Sequence, residues 1–332
     1  DNKYGLIMTT YKDIRGTHIT TVTTDPPAPV NGQMWYNSTT RVMKGFTSNP
    51  AGTWSSTASL NTARYQLGGA GKLSTAALVF GGSPPPAPTA KAITEQWNGT
   101  SWTEVGDLNE KKALTAGIGT YTSAIAAGGD QYTGTAESWN GSSWTNITDE
   151  PSGSNGYGSA GADSEDAMFF GGSPPSNVTR YWNGSSWTVL SAMNENKSNL
   201  TGAGATYTAA LAIGGTTGGP NRNPNVEQYN GSSWTEITNL NTGRTGLTGS
   251  GEVTSALAYA GDAPPATGAT ESWNGSAWTE TGDLNTARAY GMTGGGAGPD
   301  NESALMAGGS PETAASEEFV SPTTSTVTFT AS

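Results

Sequence analysis

The chain has no cysteine and a single histidine, His18, in 332 residues. The first absence excludes disulfides, thiolate metal sites and cysteine nucleophiles. The second leaves no material for a histidine-based triad or a multi-histidine metal centre, and His18 reads as an incidental surface residue. Cations are scarce as well: 15 Lys and Arg stand against 27 Asp and Glu, for a net charge of −12. Phosphate backbones and anionic lipid surfaces need clustered Lys or Arg, so neither is an expected partner; the scattered acids read as solubility. No apolar run approaches the ~20 residues of a transmembrane helix, the best being the strand-length Ala209–Ile213. Membrane insertion is therefore not expected, and neither a metal nor another cofactor is called for.

Hydrophobic residues make up only 33% of the chain, beside 47 Gly and 18 Pro. That balance suits short strands joined by many turns. One phrase dominates: WNGTSWTE at Trp97, WNGSSWTN at Trp139, WNGSSWTV at Trp182, YNGSSWTE at Tyr229 and WNGSAWTE at Trp273. A unit recurring about every 45 residues is one supersecondary block copied several times.

Each unit holds four strand-like pieces. The first is glycine-rich, as in Leu67–Gly71, Thr115–Gly119, Gly158–Ala162, Thr201–Ala205, Thr248–Gly251 and Thr293–Gly296. Such a run packs poorly alone and suits crowded backbones near an axis. The second is an apolar run closing on paired glycines, for example AALVFGG ending at Gly82 and ALAIGG ending at Gly215; unbroken apolar strands of this length are covered on both faces. The third alternates polar and apolar residues and enters Asn-Gly, which predicts a type I′ hairpin. The fourth begins at Trp102, Trp144, Trp187, Trp234 and Trp278, with Trp54 as a sixth member. Burying one such Trp is worth about 4–6 kcal/mol of gross apolar burial, so these six act as structural anchors. Counting pieces predicts six four-stranded antiparallel blades, with Trp54 and the segment around Phe319 pairing the two ends to close the ring and remove its open edges.

The hydrophobic run ending in Gly-Gly, the aromatic Trp97, Trp102, Leu108 and the basic Lys112 together resemble the kelch repeat, and LNTAR at Leu60–Arg64 and Leu284–Arg288 fits the same pattern. The resemblance implies an all-β fold: a six-bladed kelch-like β-propeller over residues 45–320, preceded by a short β arm at 1–44 and followed by a tail at 321–332. The third unit departs from it, with EPSGSNG in place of the basic residue, and Ala260–Asp262 departs from Gly-Gly. Upstream, DIRGTHITTV and DPPAPVNGQMWYNSTTRVMKG, from Asp13 to Gly45, resemble the N-terminal segment of structural proteins of tailed phages. Within it, Met34–Tyr36 and Val42–Met43 are expected to form a hairpin, on a segment too small to fold alone.

Glu95, Glu137, Glu227, Glu271 and Glu317 recur at one repeat position, with Arg180 in the third unit. Glycoside hydrolysis needs two suitably spaced carboxylates, but a catalytic pair should break the repeat rather than follow it. The glutamates read as structural, and an enzyme is not expected. Variable residues lie instead in the links between second and third strands, and recognition favours variable loops on a rigid scaffold. Tyr132, Asn221, Arg222 and Asp262 are the candidate contact residues there.

The expectation is thus a non-enzymatic phage virion protein, such as a tail fibre, tail-associated adhesin or capsid decoration. Other virion proteins would bind through the arm, a host-surface glycan through the loops, and a homo-oligomer is compatible with both. The alternatives are a secreted or cell-surface carbohydrate-binding propeller and, third, a glycoside-active enzyme.

Overall fold

A computed structural model describes residues 19–30, 32–49, 52–84, 89–130, 134–293, 295–321 and 323–329. The chain forms two compact units: Gly52–Ser321, and Asp1–Ala51 together with Pro322–Ser332. The described residues contain strands and turns but no α-helix.

In the larger unit the repeat becomes six sheets, numbered here in chain order. Sheet 1 holds Leu67–Leu73, Ala76–Phe80, Thr94–Trp97 and Trp102–Glu104; sheet 2 holds Ala116–Thr120, Ser123–Ala127, Ala136–Trp139 and Trp144–Ile147. Sheets 3, 4 and 5 repeat the four-stranded antiparallel order over 155–190, 201–236 and 248–280. Sheet 6 joins Ser303–Ala307, Ser316–Val320 and Thr53–Thr57, with Phe319 opposite Trp54, as the two-ended pairing predicts. Its first strand differs from expectation. Met292–Thr293 runs parallel to Leu67–Gly68 of sheet 1, and only Ala297 bridges back to Leu305. Gly295 and Gly296 carry no Cβ to hold a ladder apart, and they lie close against their neighbours: a Cβ on Gly69 would come within 2.9 Å of the Gly295 carbonyl.

Hairpins between third and fourth strands form where Asn-Gly stands, but not as type I′ turns. Trp97 pairs with Trp102, so the loop has four residues. Only its glycine takes positive φ, 90° at Gly99 and 88–95° at its four counterparts. Asn98 instead turns the chain with its side chain, Oδ1 accepting from the N–H groups of Thr100 and Ser101 at 2.9 Å. The Asx geometry replaces the second positive φ that a two-residue loop would need.

Six apolar seams join the sheets, each built from two neighbours. Phe80 with Trp144 belongs to the seam of sheets 1 and 2, Phe169 with Ile125 to that of 2 and 3, and Phe170 with Trp234 to that of 3 and 4. Leu211 with Trp278, Tyr259 with Met306, and Leu305 with Trp102 follow for 4 with 5, 5 with 6, and 6 with 1. Five anchor tryptophans are 5–6% exposed, while Trp187 is only half-buried. Their indole N–H groups find acceptors of two kinds. Trp144, Trp234, Trp54 and Trp102 donate to the hydroxyls of Thr94, Thr179, Thr270 and Ser316, each at the start of the third strand in the preceding sheet. Ala136 and Val226 hold that position opposite Trp187 and Trp278. These two lack a hydroxyl partner, and turn to the carbonyls of Thr148 and Thr238 at 2.7 and 3.1 Å. A buried donor must find some acceptor.

The links that carry the chain from one sheet into the next are strapped down by the recurring glutamates. Asn61 donates both its backbone N–H and its Nδ2 to Glu95 Oε2, at 2.7 and 2.9 Å, while Arg64 Nη2 meets Glu95 Oε1 at 2.7 Å. Asn109, Asn194, Asn241 and Asn285 repeat the asparagine contacts on Glu137, Glu227, Glu271 and Glu317. Lys112, Lys197, Arg244 and Arg288 repeat the cation at 3.7, 3.4, 2.9 and 3.1 Å. In the third sheet the polarity is reversed. Arg180 replaces the glutamate, and Glu150 stands where other links carry Leu60, Leu108, Met193, Leu240 and Leu284. Arg180 Nε lies 2.5 Å from Glu150 Oε1, and Tyr157 donates its hydroxyl to Glu150 Oε2 at 2.6 Å. EPSGSNG is therefore a rewired strap in which acid and base have exchanged sides.

Just inside each strap lies a residue in the left-handed region: Gln66, Leu114, Gly156, Asn199, Gly246 and Tyr290, with φ between 50° and 62°. Their backbones form a circle. Gln66 N–H donates to Tyr290 O at 2.6 Å, Tyr290 to Gly246 at 2.7 Å, Gly246 to Asn199 at 2.9 Å, Asn199 to Gly156 at 2.8 Å, Gly156 to Leu114 at 3.3 Å, and Leu114 to Gln66 at 3.0 Å.

In the smaller unit, Met34–Asn37 and Val42–Asn49 make the expected antiparallel hairpin. The C-terminal tail is not a separate piece: Thr323–Phe329 pairs antiparallel with Val42–Asn49 from Thr323↔Asn49 to Phe329↔Met43. Thr20–Val22 adds a parallel strand on the other side. This fourth strand gives the arm the sheet width it could not reach by itself, and it sets the boundary between units after Ala51 rather than after residue 44. Asp25 ties the sheet by accepting from Trp35 Nε1, Asn37 Nδ2 and Lys44 Nζ at 2.9, 2.7 and 2.6 Å.

Two stability measurements by urea denaturation check this scheme. Gly246→Val puts a branched side chain at φ 60°, with its Cβ 2.6 Å from the Tyr290 ring, and should cost more than about 2 kcal/mol; Leu114→Gly, at the same station of the circle, should be neutral or stabilising. Arg180→Glu sets two acids against each other in the buried third strap and should cost about 3–5 kcal/mol.

Candidate functional site

Antiparallel connectivity sorts the links of the larger unit onto two faces. Turns between first and second strands share a face with the Asn-Gly turns. Links between second and third strands emerge opposite.

On the second face, Tyr132 lies outside the described residues, as does His18. Asn221 is exposed. Arg222 and Asp262 are brought together: Arg222 Nη2 lies 2.5 Å from Asp262 Oδ2, and its Nε donates to the Asp262 carbonyl at 3.1 Å. Nη1 goes to the carbonyl of Pro220 at 2.7 Å. The guanidinium thus clamps the loop after sheet 4's second strand onto its neighbour after sheet 5's. Asn223 and Asn225 pin the same loop to the two Glu195 oxygens at 2.9 Å each. The loops here are ordered by their own side chains, which lowers the entropy cost of any contact they make.

The first face holds a feature the loop argument missed. Six equivalent residues follow the glycines of the first pieces: Lys72, Thr120, Ala162, Ala205, Glu252 and Pro299. Five of them line a cavity of about 310 Å³. Beneath it, between the glycines of the same strands, the space narrows to about 20 Å³. Lys72 reaches across the narrowing, its Nζ donating to the carbonyl of Gly161 and, at 3.2 Å, to that of Gly204. Burial pushes the Lys72 ammonium down to about 8, against the pull of Asp166, Glu252 and Asp163. Glu252 is exposed at the rim. Next to Asp166, whose Oδ1 accepts from Tyr207 N–H at 3.2 Å, the rings of Tyr181 and Tyr207 stack with centroids 3.8 Å apart. Aligning the residue that follows each glycine run would have exposed this site, because a lysine and a glutamate there interrupt an otherwise small, uncharged series.

Among the described residues no group of three or more His, Asp or Glu is placed to hold a metal ion. Among the same residues no helix is long and apolar enough to cross a membrane. No known protein family matches the chain, and no curated protein resembles it significantly.

Lys72 makes stability depend on pH in a stated direction. Its ordinary value is 10.5 and its folded value about 8. Below 8 it is charged in both states; between 8 and 10.5 the folded chain releases the proton first, so the native state gains stability as pH rises through that window. Urea titrations of the native chain should show this rise relative to Lys72→Met, which lacks the group.

Proposed function

We propose that the larger unit is a closed six-bladed kelch-like β-propeller and that the chain is a non-enzymatic virion component of a tailed phage: a tail fibre, tail-associated adhesin or capsid decoration protein. For the closed ring, the support is the circle of six backbone hydrogen bonds and the seam between sheets 6 and 1. For a role outside catalysis, it is the straps: each recurring glutamate is engaged by an asparagine and a cation, leaving it no free oxygen pair to act on a substrate.

The virion assignment rests on one observation. The segment that resembles phage structural proteins, Asp13–Gly45, contributes to a compact unit of its own, completed by Thr323–Phe329. A module separate in contacts from the repeat sheets is suited to fixing the chain to a particle while the propeller presents loops to a host surface, a glycan among the candidates.

Electron microscopy of native particles carrying the chain provides the test. Density for the smaller unit against a phage head or tail is the expected result. Finding the protein free, or on a cell surface, would remove the virion reading and leave a secreted or cell-surface carbohydrate-binding propeller in its place.

A further inference from the structure

The glutamates and cations of the propeller's straps occur in sheet after sheet and are consumed in holding links. Lys72 and Glu252 do not repeat. They occupy equivalent stations in sheets 1 and 5, where the other sheets carry Thr120, Ala162, Ala205 and Pro299. Nothing in the strap design requires them, and both line the same cavity.

That cavity has the parts of a small-ligand site. Its volume of about 310 Å³ lies at the lower end of the range, about 300–1,000 Å³, found for such sites. Ala162, Ala205 and Pro299 line it with apolar surface. The space below, about 20 Å³, has room for roughly one water, so a ligand would stop at the mouth. Lys72 is held in place by the carbonyls of Gly161 and Gly204. An ammonium has three N–H groups, and one is left over. The Glu252 carboxylate makes no hydrogen bond to another described residue and can only accept.

Charge selects the ligand class. Asp163, Asp166 and Glu252 all act on Lys72, within a chain of net charge −12, so an anion meets more repulsion than attraction. A neutral sugar ring does not. Its hydroxyls both donate and accept, suiting a fixed lysine and a free carboxylate, and its C–H face suits alanine and proline.

We propose that the cavity beyond the first-strand glycines binds a neutral hexopyranose, with Lys72 donating to one hydroxyl, Glu252 accepting from another, and Ala162, Ala205 and Pro299 against the ring's C–H groups. This deepens the host-surface reading, from which it takes the idea of a glycan, but it moves recognition to the face opposite the variable loops. It does not depend on attachment to a particle.

Saturation-transfer NMR of the purified full chain with methyl glucoside, methyl galactoside, methyl mannoside and glucuronate tests it. At least one methyl hexoside should bind in the millimolar range, with glucuronate weaker. Lys72→Met and Glu252→Ala should each weaken binding at least tenfold, and Arg222→Ala, on the other face, should leave it unchanged. Because Glu252 is exposed, its variant carries the test even if Lys72→Met fails to fold. The proposal is overturned if no methyl hexoside binds, or if binding survives Glu252→Ala. Binding lost only in Arg222→Ala would also overturn it, while keeping the host-surface reading and returning recognition to the variable loops. Location of the chain on a particle is decided separately by microscopy, so the two readings fail independently.

Discussion

The circle of backbone hydrogen bonds through Gln66, Leu114, Gly156, Asn199, Gly246 and Tyr290 is what the rest of the larger unit is arranged to permit. Closing it requires six consecutive links to turn through the left-handed region, which costs non-glycine residues roughly 1–2 kcal/mol each. Four of the six stations carry such residues. The strain is tolerable because each link is fixed on its outer side by a strap and on its inner side by a strand so rich in glycine that backbones can meet. A Cβ on Gly202 would stand 2.1 Å from the Ser159 carbonyl.

The straps show how one interaction can be kept while its residues change. A buried ion pair is costly to desolvate and worth keeping only when its remaining lone pairs are satisfied. Here the asparagine saturates one glutamate oxygen, while the cation faces the other and, for Arg64, Lys112, Lys197 and Arg244, adds backbone carbonyls. Arg64, for instance, also donates to Gly81 and Ile93 at 2.6 and 2.8 Å. The third sheet reverses the charges but keeps the principle, with Tyr157 and Ser152 both bonded to Glu150 in place of the asparagine.

Much of this was legible in the sequence, because it repeats. Strand order, the anchor tryptophans, the pairing of Trp54 with Phe319 and the hairpin at Met34 all follow from pattern alone. What was not legible depends on contacts between repeats. The partner of a tryptophan indole is decided by whether Thr94 or Ala136 stands in the sheet before it, and Glu150 answers Arg180 from a position where the other repeats place an aliphatic residue. The fourth strand of the smaller unit was hidden because nothing local in Thr323–Phe329 says that its partner lies at the other end of the chain. The cavity with Lys72 was missed for a related reason: loop variability drew attention to one face, while the informative exception was a single side chain at the end of a monotonous strand.

The pairing of Val42–Asn49 with Thr323–Phe329 makes everything from Gly52 to Ser321 an insertion between two neighbouring strands. Bringing such distant segments together from an open chain would carry a large loop-closure penalty. The penalty is removed once Thr53 and Val320 are paired in sheet 6, since the two ends then leave side by side. The smaller sheet is therefore completed only after Thr323–Phe329 has been synthesised and Thr53 has met Val320. A chain cut short before Thr323, or one with a misfolded insertion, would leave Val42–Asn49 without its partner strand.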